Sequence, residues 1–343
     1  MKQLLNTLFV TSEDVYLSLE QDNVTVLQES RKLARIPLRS IEAIVCFSYK
    51  GASPSLMGKC ADMGVGLHFY SPRGFYYCSI LGDNDRNVLL RMEQFRKSES
   101  EEQALSIAKS FISAKIYNAR WVIERAKRDH GMRLDVERLE SAIRGLIEAM
   151  EAVENSCSLD ELRGVEGSAA KVYFSIFDEL ILREKKNFYF VSRSRRPPLD
   201  RMNALMSFVY SLVTNDCKAA LQGNGLDPYV GFMHVERPGR PALALDLMEE
   251  LRPILADRFA LSLVNTGAVR PKDFDLQENG SVFLSESGRK KVLTAWQKRK
   301  TETITHPYLK ENIPWGLVPH VQALLLARTV RGDLEQYPPF FWK

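Results

Sequence analysis

The apolar pattern changes period once, near residue 82, and a chain that does so cannot be one repeated motif or one uniform layer. Before that point the segments LNTLFV, VYLSLE, VTVLQES, KLARIPL, IEAIVCF, VGLHFYS and GFYYCSIL are short and rich in β-branched and aromatic residues. Turn chemistry separates them, as at Gln21-Asp22-Asn23 and Ser71-Pro72-Arg73-Gly74. They predict strands. Residues 53–64, SPSLMGKCADMG, interrupt the run and predict one short helix, with Ser53 as N-cap and Pro54 in the first helical position.

After Asp83-Asn84-Asp85 helical periodicity takes over. Helices are predicted in one or two pieces from Asn87 to Asp129, then from Arg133 to Cys157, from Gly164 to Lys186, and from Asp200 to Gly225 with Asp200 as N-cap. A further helix runs from Arg240 to Gly267, with Pro253 kinking or dividing it. FDLQENGSVFLSESG predicts a short hairpin turning at Asn279-Gly280, and two more helices finish the chain. The sequence therefore predicts an α+β protein. A small β-sandwich-like domain covers 1–83, a linker 84–92, and a larger all-helical domain carrying the functional site 93–343.

Composition constrains function less than pattern does. The chain of 343 residues is long enough for two cores, and its formal charge of +4 permits nucleic acid without demanding it. Five widely spaced cysteines with no CxxC pair point to free thiols in a reducing compartment, with neither structural zinc nor a disulfide framework. The opening MKQLLNTLFV is broken by Asn6 and reads as a first strand rather than a signal peptide. No apolar run is long enough to span a bilayer, so a cytoplasmic location is expected.

One polar residue stands out in the helical half. Ala169, Val172, Tyr173, Ile176, Phe177, Leu180 and Ile181 form one helical face, and Glu166 projects onto the middle of that stripe near its head. A carboxylate there must be exposed, paired, protonated or bound to a cation. His234 lies in GLDPYVGFMHVERPGRP, and Asp246 and Glu249, three apart, share a helix face. Glu166, His234 and this acidic pair can hold one hard divalent cation and leave positions for water and phosphate. Each also has an ordinary reading: a helix-end carboxylate, a structural histidine beside a glycine-rich loop, a solvated acidic pair. Glu250 projects about 100° from Glu249 and reads as surface, and Lys171 lies too far around its helix to reach Glu166.

Arg193, Arg195, Arg196 and Arg201 crowd a proline-stiffened segment that suits phosphate contacts or a solvated loop. A second basic cluster, RKKVLTAWQKRK (289–300), reads as an amphipathic helix. No GxxxxGK[ST] motif is present, which agrees with chemistry that needs no ATP.

Four motifs in order, GVEGSAAKVYF, RSRRPPLDRMNALMSFVY, GLDPYVGFMHVERPGRPALALDLMEELRP and YPPFFW, resemble the CRISPR-associated adaptation integrase, the metal-dependent nuclease of CRISPR systems. SGRKKVLTAWQKRKTETITHPYL resembles its subtype I-C form. The resemblance implies Mg²⁺ or Mn²⁺ held by Glu166, His234 and Glu249, with Asp246 completing the catalytic set as a ligand or an orienting group. It places Asn203 and Tyr210 at motif positions beside the site and tilts the Arg193–Arg201 cluster towards DNA. It implies insertion of short foreign DNA into a CRISPR array, the 3′-hydroxyl of the incoming strand attacking a phosphodiester at a repeat boundary. It also implies a homodimer formed through the β domain and a small ferredoxin-like CRISPR-associated partner flanked by two such dimers. A trimming exonuclease is a further partner. The competing readings are a non-enzymatic dimeric DNA-binding scaffold and an RNA-processing nuclease with the same ion chemistry.

Overall fold

The computed structural model describes residues 6–10, 12–29, 31–71, 76–80 and 88–343. The period-two segments become β1 (Asn6–Val10), β2 (Val15–Glu20), β3 (Asn23–Gln28), β4 (Arg31–Pro37) and β5 (Ile41–Cys46). Helix α1 (Pro54–Met63), then β6 (Gly66–Tyr70) and β7 (Tyr76–Ile80), complete this part. The Ser53 side chain accepts the Leu56 N–H and Pro54 opens α1, as the sequence predicts. β2, β3 and β4 form an antiparallel meander. The second sheet has the order β1-β5-β6-β7, parallel from β1 to β6 and closed by antiparallel β7. Val15, Leu17, Val24 and Val26 of the meander share one core with Ile44, Cys46 and Leu67 of the second sheet and Leu56 and Cys60 of α1. This is the expected β-sandwich-like domain.

β5 is apolar on both faces because it serves two cores. Ile44 and Cys46 face the β-domain core, whereas Val45 and, just past the strand, Phe47 belong to the helical core. Phe47 meets Tyr70 and Phe208 at ring-centroid distances of 5.4 and 6.2 Å.

The second part contains α2 (Val88–Glu99), α3 (Glu101–His130), α4 (Val136–Asn155), α5 (Leu159–Ser175), α6 (Arg201–Gly223), α7 (Ala242–Leu251) and α8 (Arg258–Asn265). It continues with β8 (Phe274–Leu276), β9 (Val282–Leu284), α9 (Glu286–Thr301), β10 (Thr303–Thr305), β11 (Asn312–Pro314) and α10 (Val318–Arg331). The predicted hairpin is β8–β9, with Gly280 at φ +77° in its turn. The domain is not all-helical, since β10 and β11 pair as well. Of the expected linker, residues 84–87 lie outside the described residues, and from Val88 onward the chain is already α2. Pro253 does not break its helix outright. Residues 252–257 widen into a π-helical turn that joins α7 to α8 and absorbs the missing N–H.

One correction bears on the site. α5 starts at Leu159, capped by Ser158, and ends at Ser175, after which Phe177–Leu180 form a 3₁₀ turn. Glu166 is therefore in mid-helix, beyond the first-turn dipole that a helix-end carboxylate would use. The cysteines among the described residues are free. Among those residues, no helix is long and apolar enough to cross a membrane.

A candidate metal centre beside a basic cleft

The centre is built on α7, whose residues are almost wholly buried. Asp246 is 0% exposed and Glu249 2%. Asp246 gathers the preceding loop onto the helix. Its Oδ2 accepts the N–H groups of Phe232 (2.7 Å) and Met233 (3.1 Å), and its Oδ1 accepts that of His234 (3.0 Å). The His234 ring approaches the same Oδ1 through Nδ1 at 2.6 Å. The ring nitrogen Nδ1 donates to the Asp246 carboxylate, and Nε2 is thereby turned towards Glu249. Gly231 permits the approach, because a Cβ there would stand 2.8 Å from Asp246 Oδ2 and 2.9 Å from the Ala242 Cβ. Both Asp246 oxygens are thus engaged by this loop, and its role is to orient His234.

His234 Nε2 faces Glu249 Oε1 at 3.8 Å. The Arg252 guanidinium meets that same oxygen at 2.8 Å, and the Lys115 ammonium meets Oε2 at 2.6 Å. Burial alone would raise the Glu249 carboxyl, but Arg252 and Lys115, helped by His234, outweigh it and hold it at about 2. Lys115, from the middle of α3, also bonds Glu166 Oε1. Glu166 is thus paired, and its side chain keeps 24% of its surface open. Lys115 and Arg252 escape sequence reading. Lys115 had a signal, a lysine among the apolar Phe111, Ile112, Ile116 and Ala119 of α3.

Around this centre Tyr210 stands between two guanidinium groups, Arg193 at 5.0 Å and Arg252 at 4.9 Å from its ring. Its hydroxyl donates to Asp257, whose carboxyl burial raises to about 6. Asn203 does not face the carboxylates. It organises the basic segment, accepting from Arg193 (2.6 Å) and the Ser194 N–H while donating to the Ser192 carbonyl and Asp200. Arg201 likewise bonds inward, to the Asn187 carbonyl. Arg195 and Arg196 are exposed, as is Lys171 on α5. Glu250 is not surface. It is 0% exposed, receives donors from Tyr337, Gln322 and the Phe340 N–H, and is raised by burial to about 7.

A cleft of about 890 Å³ opens between Tyr70 and Ser71 of the β domain, α6, and β9. Among the described residues, Arg193, Arg195, Arg196, Lys218, Arg252 and Arg289 line it, and no carboxylate does. Arg252 belongs both to this wall and to the Glu249 pair, and Arg195 and Arg252 also line the small cavity that holds Lys115 and Glu166.

The donors fit a divalent cation by their chemistry. A cation, the Lys115 ammonium, already bridges the Glu166 and Glu249 carboxylates, and His234 Nε2 stands 3.8 Å from Glu249. Among the described residues no three such groups stand at ligand spacing, so taking up an ion requires Lys115 to yield its place.

Comparison with known proteins identifies the family and the fold. A family model described as CRISPR associated protein Cas1 matches residues 8–298. A relative from Chlorobaculum tepidum, named CRISPR-associated endonuclease Cas1 1, is 46% identical over 343 residues and covers the whole of both chains. Among solved structures, a casposase bound to integration product has a TM-score of 0.84 at 21% identity, covering 99% of this chain and 95% of that one. The Cas6-RT-Cas1–Cas2 complex has a TM-score of 0.83 at 21% identity, covering 100% of this chain and 36% of that one. At such identities the two structures show a shared fold.

Proposed function

The chain belongs to the CRISPR associated protein Cas1 family, and from that premise we propose that it is a divalent-metal-dependent DNA endonuclease and integrase that inserts short foreign DNA into a CRISPR array. The observation that carries this reading is that Lys115 bridges Glu166 and Glu249, with His234 Nε2 turned to Glu249, and that Arg252 joins this pair to a cleft lined by five arginines and a lysine. The relative's name, endonuclease, and the integration product in the casposase structure support the chemistry.

Glu166, His234 and Glu249 would hold Mg²⁺ or Mn²⁺, with Asp246 fixing the His234 tautomer. When bound, the ion polarises the scissile phosphate and offsets the charge that builds on it. The cleft arginines bind the phosphate backbone, with Arg195 and Arg196 at the exposed rim. The 3′-hydroxyl of the incoming strand forms a new P–O bond, the repeat's P–O bond breaks, and the repeat's 3′-hydroxyl leaves. One ester replaces another, so no nucleotide is consumed. The hydroxyl's proton departs to solvent, and the leaving 3′-oxygen takes up a proton.

The partners follow from the same reading: double-stranded DNA, a second copy through the β domain, and the small ferredoxin-like protein, for which the likeness to Cas1 within a Cas1–Cas2 complex is the support. The trimming exonuclease is supported by relatives named CRISPR-associated exonuclease Cas4/endonuclease Cas1 fusion, whereas the subtype I-C form rests on sequence resemblance alone.

The test compares the protein with Glu166→Ala on a labelled branched duplex that mimics half-integrated DNA, with Mn²⁺ or Mg²⁺ and with the ferredoxin-like partner added. Metal-dependent resealing or cutting falls by about 10² or more in the variant while DNA binding persists. Equal activity in both would remove Glu166 from the chemistry, and silence in the intact protein would favour the scaffold.

A further inference from the structure

We propose that the segment Tyr337–Lys343 is a clasp that sets the spacing between α3 and α7 and so positions Lys115 and Glu249 at the metal centre. The inference rests on the function proposed above for that centre. Its ground is the set of bonds directly behind Glu249. Glu250, the next residue, accepts from the Tyr337 hydroxyl and, at 2.8 Å, from the Phe340 N–H. Gln322 of α10 donates to both Glu250 oxygens and to the Pro338 carbonyl. Asn118, three residues after Lys115 on α3, ties all three parts together. Its Nδ2 donates to the carbonyls of Glu250 and Phe340, each at 2.8 Å, and its Oδ1 accepts the Trp342 N–H at 3.0 Å.

The segment is anchored along its length by rings as well as hydrogen bonds. Phe340 is 0% exposed and packs on His306 and Trp315. Phe341 meets Tyr117, and Trp342 lies under Arg258 and Arg125. Tyr117, Asn118 and Arg125 are α3 residues, and Glu250 is an α7 residue. The segment therefore spans the two helices that carry Lys115 and Glu249, the ion pair at the centre. None of its side chains is among those that line the cleft or hold the carboxylates, so its action is positional.

The experiment deletes residues 337–343 and compares the truncated and intact proteins in three readouts. These are metal-dependent turnover of the branched duplex, KM for that duplex, and amide hydrogen exchange along α3 and α7. The clasp predicts that kcat falls about tenfold or more, that KM stays within about twofold, and that exchange accelerates in α7 around residues 246–252. Unchanged turnover and unchanged exchange overturn it. A rise in exchange over the whole helical domain also overturns it, because the segment is then ordinary core.

Because the deletion bares apolar surface and can prevent folding, Glu250→Gln and Glu250→Ala in the full chain repeat the test. The glutamine carboxamide keeps an acceptor for the Phe340 N–H and a partner for the Tyr337 hydroxyl, and restores kcat to within about threefold, whereas alanine loses about tenfold. Equal losses, or none, in both variants overturn the clasp. An intact protein without metal-dependent turnover would remove the function proposed above, and the exchange comparison would still decide the clasp.

Discussion

Asp257 is a carboxylate on which burial wins over its neighbours. It is 1% exposed, and burial raises it to about 6 although the Tyr210 hydroxyl and the Arg252 guanidinium both favour its charged form. Its proton is bound more tightly in the folded chain than in the unfolded one. The resulting stabilisation is complete below about pH 4 and is lost as pH rises through about 6. Wild-type stability should therefore decline more steeply between pH 4 and 7 than that of Asp257→Asn, in which Glu250 still contributes its own decline, by a difference of order 2–3 kcal/mol in unfolding free energy across the window. Parallel pH–stability curves would show that Asp257 is ionised throughout. The same contrast of burial and charge explains which site residues are legible. Glu166, His234, Asp246 and Glu249 stand out because each is polar where the pattern wants apolar, or is spaced to share a face. Lys115 hides, because a lysine can lie along an apolar face and reach water with its tip. Glu250 hides for another reason. The turn that carries it away from Glu249 points it not to water but at Gln322, 72 residues away in sequence.

Helix α5 shows how an element can be recognised and still be misplaced. Gly164 and Gly167 read as a start, yet the helix begins at Leu159, and a Cβ at either glycine would meet nothing within 4 Å. Serine 158 is a good cap, and five residues of weak periodicity between it and the glycines obscure the first turns. Gly164 is exposed, has no structural need for a bare Cα, and weakens the helix by entropy alone. Gly164→Ala should thus raise the melting temperature, by an amount equivalent to about 0.5–1 kcal/mol, without altering metal-dependent turnover. A lowered melting temperature would mean that some contact uses the glycine. Strands β2 to β7 are legible because each runs for five residues or more, rich in β-branched and aromatic residues, with turn chemistry between them. β10 and β11, three residues each, carry no period to read. Pro253 marks the junction of α7 and α8, but not that a π-helical turn would carry the chain across it.

The cleft exists only in the assembled molecule, since the β domain, α6, β9 and the Arg193–Arg196 segment each supply part of its wall. The two domains are fixed together there by β5, which feeds both cores, and by Phe47 against Phe208. A formal charge of +4 over the whole chain gives no hint of this local field, because it does not say where the cations lie or which are paired. The basic stretch 289–300 shows the difference. Its Val292, Leu293 and Trp296 are buried, and Arg289, Lys291, Arg299 and Lys300 pair with Glu13, Asp273, Glu302 and Asp216. Arg195 and Arg196, exposed at the rim of a cleft lined, among the described residues, by no carboxylate, are the cations left for DNA phosphates. Each phosphate they neutralise releases counterions, so the logarithm of the DNA association constant falls with the logarithm of salt in proportion to the number of contacts. The double variant Arg195→Ala/Arg196→Ala should flatten that slope by about 1–2 and weaken binding at low salt, with no effect on folding. Lys290→Ala/Lys298→Ala removes the same formal charge from exposed positions on α9, outside the cleft, and should leave the slope as in wild type. Equal flattening by both pairs would mean that the chain holds DNA through its net charge, and the cleft would lose its claim to be the binding surface.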